Sequence, residues 1–116
     1  MCHALIIEDE ALVAFHIADV VEEAGAKSIA FAQTELEAVS AALQRKPDII
    51  VSDVKLLTGT GPDAVTSIRQ QVGRIPAIFI TGNPEALDGY DHDGVMEKPL
   101  IAQRLKQEVA RLAANC

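Results

Sequence analysis

Apolar residues follow two alternating patterns along the chain. Short aliphatic runs, typical of buried strands, alternate with longer stretches in which apolar residues return every three or four positions. The runs predict five strands, near residues 3–8, 27–31, 48–53, 76–81 and 94–97. The longer stretches predict helices after the first, second, third and fifth strands. The chain therefore consists of repeated strand–helix units with one irregular connection after the fourth strand.

Residues that favour helix ends lie where the pattern changes. Gly25 fits the position just after the first helix, and Pro62 suits the first turn of the third. Thr34 and Glu37 have the spacing of a capping box at the start of the second helix. We expect that helix to bury its apolar positions, Leu36, Val39, Ala42 and Leu43.

Five strands joined by helical crossovers imply an α/β fold with a doubly wound parallel sheet. Right-handed crossovers place helices on both faces of such a sheet, which explains why the strands are apolar throughout. Ligands bind beyond the carboxyl ends of the strands in these folds. Residues at those ends are therefore the candidates for function.

Acids, a hydroxyl and an amine occupy the predicted strand ends. Glu8 and Asp9 follow the first strand, Asp53 ends the third, Thr81 ends the fourth and Lys98 follows the fifth. Crowded carboxylates repel one another, whereas a hard divalent cation with oxygen ligands gives them a reason to converge. Mg²⁺ suits a site that also admits phosphate oxygens. The pattern predicts a Mg²⁺ site beside a carboxylate that can attack phosphorus.

Four segments in this order resemble the response-regulator receiver family over essentially the whole chain. They are LIIEDE at 5–10, PDIIVSDVKLLTGTGPDAV at 47–65, PAIFITG at 76–82 and EKP at 97–99. The resemblance implies that residues 1–116 form one receiver domain, with no effector domain and with the flavodoxin-like strand order 2-1-3-4-5. PAIFITGNP is also similar to a proteobacterial subgroup associated with stress-response phosphorelays.

The resemblance also assigns roles to individual residues. It implies a Mg²⁺ site made of Glu8, Asp9, Asp53 and the backbone carbonyl of Lys55. Asp53 would accept the phosphoryl group, Thr81 would be the switch hydroxyl, and Lys98 would contact the phosphoryl group and precede a cis peptide bond to Pro99. A histidine kinase or phosphotransfer protein would be the donor, and a downstream protein the target. Such a protein is not an enzyme beyond its own Mg²⁺-dependent phosphorylation and dephosphorylation.

Two features depart from the family pattern. Receivers commonly carry an aromatic residue in the fifth strand, whereas this chain has Val95 there and Tyr90 outside the predicted strand. The connection between Thr81 and Lys98 is also short and rich in turn-forming residues. We therefore expect a truncated or mobile fourth helix, an atypical output surface, and a switching element within residues 82–94.

Charge and cysteine positions limit the partners and the compartment. The formal net charge of −7 disfavours direct contact with nucleic acid or anionic membrane, and no run is long enough to span a bilayer. The chain start lacks the features of a secretory signal, so we expect a cytoplasmic protein. Cys2 and Cys116 lie at opposite ends of the chain, and we expect reduced thiols rather than a disulfide.

Other functions remain open on the sequence alone. A phosphohydrolase of the haloacid dehalogenase type also uses an aspartate nucleophile, but Asp53 is followed by Val54 and Lys55 rather than by a second acid two residues on. Gly59 and Gly61 fit turns, because the chain lacks the GxxxxGK[ST] nucleotide-binding pattern. A phosphorylation-independent scaffold and a phosphate sink within a phosphorelay are further alternatives.

Overall fold

The alternation of strands and helices is present in the computed structural model, which describes residues 2–113. The strands are β1 (His3–Ile7), β2 (Ser28–Ala32), β3 (Ile49–Asp53), β4 (Ala77–Thr81) and β5 (Gly94–Glu97). The helices are α1 (Ala11–Glu23), α2 (Glu35–Gln44), α3 (Gly61–Val72) and α4 (Ala102–Leu112). A 3₁₀ turn, Pro84–Leu87, lies between β4 and β5.

The five strands form one parallel sheet in the order β2-β1-β3-β4-β5. Alternate residues of each strand point to opposite faces, so Ala4 and Ile6 pack with α1 and α4, whereas Leu5 and Ile7 pack with α2 and α3. Both predictions, the doubly wound α/β fold and the 2-1-3-4-5 order, are confirmed. The order makes β3 a neighbour of both β1 and β4, which places their carboxyl ends side by side.

The predicted helix starts are largely confirmed. The Thr34 hydroxyl accepts the amide of Glu37 at 3.1 Å, and Pro62 lies in the first turn of α3. The Glu37 carboxylate, however, accepts the amide of Gln33 at 3.0 Å rather than that of Thr34. The reciprocal half of the capping box is therefore displaced by one residue.

The predicted buried face of α2 is partly wrong. Leu36 and Leu43 are 81% and 54% exposed, whereas Ala38 and Ala42 are buried and Val39 is half-buried. The helix rests on its alanines because their small side chains allow its backbone to lie close to the sheet. The two leucines, seven positions apart, consequently point outward on one side of the helix.

The connection from β4 to β5 contains only the 3₁₀ turn, which confirms a truncated fourth helix. Its far end is fixed, because the Arg69 guanidinium lies 3.0 Å from the carboxylate of Asp93 and both side chains are mostly buried. The same carboxylate accepts the amide of Ala77 at 2.8 Å. The Tyr90 hydroxyl donates to Asp63 in the first turn of α3 at 2.9 Å. The segment is thereby tied to the helix that follows β3.

The expectation of reduced thiols is wrong for Cys2, which is buried and disulfide-bonded; Cys116 lies outside the described residues. Near the end of α4, Arg111 donates to the carbonyl of Asp93 at 3.3 Å, just before β5 begins. The last helix therefore returns to the edge of the sheet where the strands start, and Cys2 precedes β1 at that edge.

Among residues 2–113, no helix is long and apolar enough to cross a membrane.

Candidate functional site

Three carboxylates meet where β1 and β3 end. Glu8 and Asp9 follow β1 and Asp53 ends β3, and each offers an oxygen within 4.8 Å of the other two. Glu8 and Asp53 are only 4% and 8% exposed. Because β1 and β3 are hydrogen-bonded neighbours, the sheet holds these acids together against their mutual repulsion.

Lys98 brings a positive charge to the same place from β5. Its ammonium nitrogen lies 3.4 Å from the Oδ1 atom of Asp53. The amide of Lys98 donates to the carbonyl of Thr81 at 2.9 Å, which fixes the end of β5 against the end of β4. The peptide bond from Lys98 to Pro99 is cis, as the resemblance implied.

Thr81 ends β4 and adds a buried hydroxyl to the cleft that Asp53 and Lys98 also line. Its Oγ1 atom accepts the amide of Asn83 at 3.0 Å. A hydroxyl has one hydrogen to donate and two lone pairs, so this contact leaves the Thr81 hydrogen available to an oxygen in the cleft. The structure therefore brings together the side chains of all five residues that the strand ends predicted.

Both the backbone and the side chain of Asp53 are held by contacts that the sequence did not predict. The Ser52 hydroxyl donates to the carbonyl of Asp53 at 2.7 Å, and the Val54 amide donates to its Oδ1 atom at 2.8 Å. A Cβ atom at Gly61 would collide with the Asp53 carbonyl and the Ser52 hydroxyl. Gly61 is therefore required by a close approach of α3 to Asp53, not only by a turn. The available signal was a glycine at the start of a predicted helix.

Asp9, Asp53 and Lys98 open into a cleft of about 540 Å³, whereas Glu8 lies behind them and does not line it. Its lining includes Asp9, Asp53, Lys55, Thr81, Ala86 and Lys98. Ala86 belongs to the 3₁₀ turn, so the truncated connection supplies part of the wall. The cleft has room for a phosphoryl group together with water.

Burial dominates the electrostatics of Glu8. It raises the pKa of Glu8 to about 7, and the charge of Asp53 and a hydrogen bond with Asp9 act in the same direction. The Glu10 amide, which donates to Glu8 at 3.1 Å, and the charge of Lys98 partly oppose the increase in pKa. Near neutral pH a cation and a proton therefore compete for this carboxylate.

The donor set fits Mg²⁺. All three clustered groups are carboxylates, which are hard oxygen ligands, and no sulfur or imidazole ligand joins them among the described residues. Three carboxylates outnumber the single ammonium group of Lys98. A bound cation would offset the remaining negative charge. Lys55 lines the cleft, and its backbone carbonyl as a ligand stays a prediction.

The aromatic residues lie elsewhere, as the sequence suggested. Val95 lies in β5 and is half-buried against the α2 and α3 face, and the strand GVME contains no aromatic residue. Tyr90 precedes β5 and bonds to Asp63. Thr81 is thus linked to the following segment through the Asn83 amide, with no aromatic partner in the neighbouring strand.

The fold and the site together define an α/β domain whose acidic cleft pairs a buried carboxylate with an ammonium group. A family model, the response regulator receiver domain, matches residues 4–110. The chain belongs to this family of signalling regulators, which confirms the resemblance.

Curated relatives give a consistent result. The chain is 42% identical over 83 residues to the phyllosphere-induced regulator PhyR of Methylorubrum extorquens, covering 70% of this chain and 31% of that protein. It is 39% identical over 76 residues to the transcriptional regulatory protein PdtaR of Mycobacterium tuberculosis, covering 66% of this chain and 36% of that protein. The chain thus spans about a third of the length of these relatives.

Solved structures agree with the assignment. The receiver domain of Erythrobacter litoralis PhyR has a TM-score of 0.87 at 32% identity, covering 96% of this chain and 88% of that one. The anti-anti-sigma factor PhyR of Bartonella quintana has a TM-score of 0.81 at 35% identity, covering 99% of this chain and 48% of that one. The chemotaxis protein CheY4 of Vibrio cholerae, at 22% identity and a TM-score of 0.85 over 97% of this chain and 98% of that one, shares the fold.

Proposed function

We propose that this protein accepts a phosphoryl group on Asp53 in a Mg²⁺-dependent reaction. The donor is a phosphohistidine on a histidine kinase or phosphotransfer protein. The observation that carries the proposal is the contact of 3.4 Å between the Lys98 ammonium and Asp53. Asp53 also belongs to a cluster of three carboxylates whose oxygens lie within 4.8 Å of one another.

The residues divide the chemistry among them. A carboxylate oxygen of Asp53 forms a bond to phosphorus while the bond from phosphorus to the donor nitrogen breaks, and the leaving imidazole keeps that electron pair. Negative charge on the transferring group is spread over its equatorial oxygens. The Lys98 ammonium pairs with one such oxygen, and the Thr81 hydroxyl donates to another.

Mg²⁺, when held by Glu8, Asp9, Asp53 and the Lys55 carbonyl, supplies neutralisation of phosphoryl oxygen charge. Glu8 and Asp9 serve this purpose as ligands rather than as nucleophiles. Glu8 must lose its proton to bind the cation, so its raised pKa makes this step depend on pH near neutrality.

The output of the phosphorylated state is a change in affinity for a downstream protein in the cytoplasm. The net charge of −7 disfavours nucleic acid as the target. A protein target is also consistent with the similarity to the anti-anti-sigma factor PhyR of Bartonella quintana. Phosphorylation changes that affinity only by interacting differently with two arrangements of the domain.

Phosphorylation by a small donor tests the proposal directly. The protein is incubated with acetyl phosphate and Mg²⁺, and its intact mass is recorded beside Asp53→Asn and a matched control, Asp63→Asn. Asp63 lies in α3, outside the cleft lining. We expect the parent and Asp63→Asn to gain one phosphoryl group, and Asp53→Asn to gain none.

Removal of Mg²⁺ with EDTA should abolish the gain in the parent. Lys98→Met should slow the reaction, because the ammonium group no longer offsets phosphoryl charge. A mass gain that survives Asp53→Asn would place the phosphoryl group elsewhere. No gain from acetyl phosphate or from a phosphohistidine donor would favour the phosphorylation-independent scaffold.

A further inference from the structure

The outward side of α2 carries an apolar seam, defined here as Leu36, Val39, Ser40 and Leu43. The two leucines are 81% and 54% exposed, and a shallow groove runs along these residues. Their spacing of three, four and seven positions places them on one side of the helix. A narrow seam of this spacing is what one helix presents to a second helix. The small Ser40 side chain leaves space at the middle of the contact.

Charge is separated along the same helix. Glu35 and Glu37 lie in its first turn, whereas Arg45 and Lys46 follow its last turn. Within residues 2–113, neither Arg45 nor Lys46 forms an ion pair. An antiparallel copy of α2 would place its basic end against the acidic end of the first helix. In a pair related by a two-fold axis, this contact between a basic end and an acidic end occurs twice.

We propose that α2 is a self-association surface, on which a second copy of this chain packs its own α2 in antiparallel orientation. The seam supplies the apolar centre of the contact, and the opposite charges of the helix ends set its direction. One pair of short helices buries less area than a stable obligate dimer needs, so the association is weak and reversible. No seam residue lines the cleft of Asp53, so the interface is separate from the phosphorylation site.

Sedimentation velocity over a micromolar to millimolar concentration range tests the apolar centre. We expect the weight-average sedimentation coefficient of the parent to rise with concentration. Leu36→Lys combined with Leu43→Lys should hold it at the monomer value. Leu12→Lys is the matched control, because Leu12 is an equally exposed leucine, at 85%, on α1. A parent that stays monomeric, or a Leu12→Lys variant that dissociates equally, overturns the proposal.

A charge exchange tests the antiparallel direction. Glu37→Lys alters the acidic end, and Arg45→Glu with Lys46→Glu alters the basic end. Each variant should associate less than the parent, because like charges meet at both ends of its homodimer. Mixing the two variants should restore association, because their heterodimer pairs opposite charges at both ends. A mixture that associates no more than either variant alone overturns the proposal, and thermal unfolding of each variant confirms that it is folded.

Discussion

Replacing Glu8 by glutamine should stabilise the protein without metal while weakening its response to Mg²⁺. The carboxylate is 4% exposed and lies beside Asp9 and Asp53. Its pKa is raised from 4.5 to about 7, chiefly by burial. An acid whose pKa is higher in the folded state holds its proton more tightly there. Folding stability is therefore lost as the pH rises from 4.5 to 7, and the full cost applies above pH 7.

The size of the effect follows from this difference in pKa. One pKa unit corresponds to about 1.4 kcal/mol, so the ionised carboxylate costs up to about 3 kcal/mol at pH 8. At pH 5 the folded protein keeps the proton, and the cost falls to about 1 kcal/mol or less. Glu8→Gln removes the charge while keeping the side-chain shape, so the variant should gain stability mainly at high pH.

Urea unfolding of parent and variant in EDTA, at pH 5 and pH 8, measures the difference. Glu10→Gln is the matched control, because Glu10 is an exposed acid two residues away, and it should change stability little at either pH. Adding Mg²⁺ at pH 8, at about ten times its dissociation constant, should raise the free energy of unfolding of the parent by about 1.4 kcal/mol. The increase for Glu8→Gln should be smaller. A Glu8→Gln variant that is less stable than the parent at pH 8, or that gains the same stability at both pH values, would contradict this prediction.

Three further perturbations test other parts of the structure. Burial lowers the pKa of His3 below 6.5, so stability should fall as the pH drops below 6.5, and His3→Gln should flatten this dependence in urea unfolding. Gly61→Ala should destabilise the fold by more than about 2 kcal/mol and slow phosphorylation by acetyl phosphate, because its Cβ collides with the Asp53 carbonyl; an unchanged melting temperature would contradict this. Arg69→Ala should cost about 1–3 kcal/mol in urea unfolding, because it removes the mostly buried partner of Asp93 and leaves the more exposed Arg74 as the other cation of that carboxylate.

Strand positions and strand-end residues could be predicted from the sequence because topology constrains them strongly. A short apolar run such as the one that forms β3 is typical of a central parallel strand, because helices cover both faces of such a strand. Once Asp53 ends such a strand and Glu8 follows its neighbour, their proximity is a consequence of the pairing between β1 and β3. A glycine at the start of a predicted helix was the only hint of the Gly61 contact, and it could not identify the partner, because close approach of a helix to a carbonyl depends on three-dimensional packing.

The sequence pattern could not predict which side of α2 faces the sheet. Two sides of this helix are apolar, one formed by Leu36, Val39 and Leu43 and the other by Ala38 and Ala42, and both repeat with helical spacing. The more hydrophobic side predicts burial of the leucines, yet the alanines face the sheet. Small side chains let α2 lie against the compact layer formed by its neighbours, and the leucines would hold it further away. Two exposed leucines forgo several kcal/mol of burial free energy. A partner surface that covers them recovers part of it, and the fold alone gives no other reason for an apolar seam on the outward side of α2.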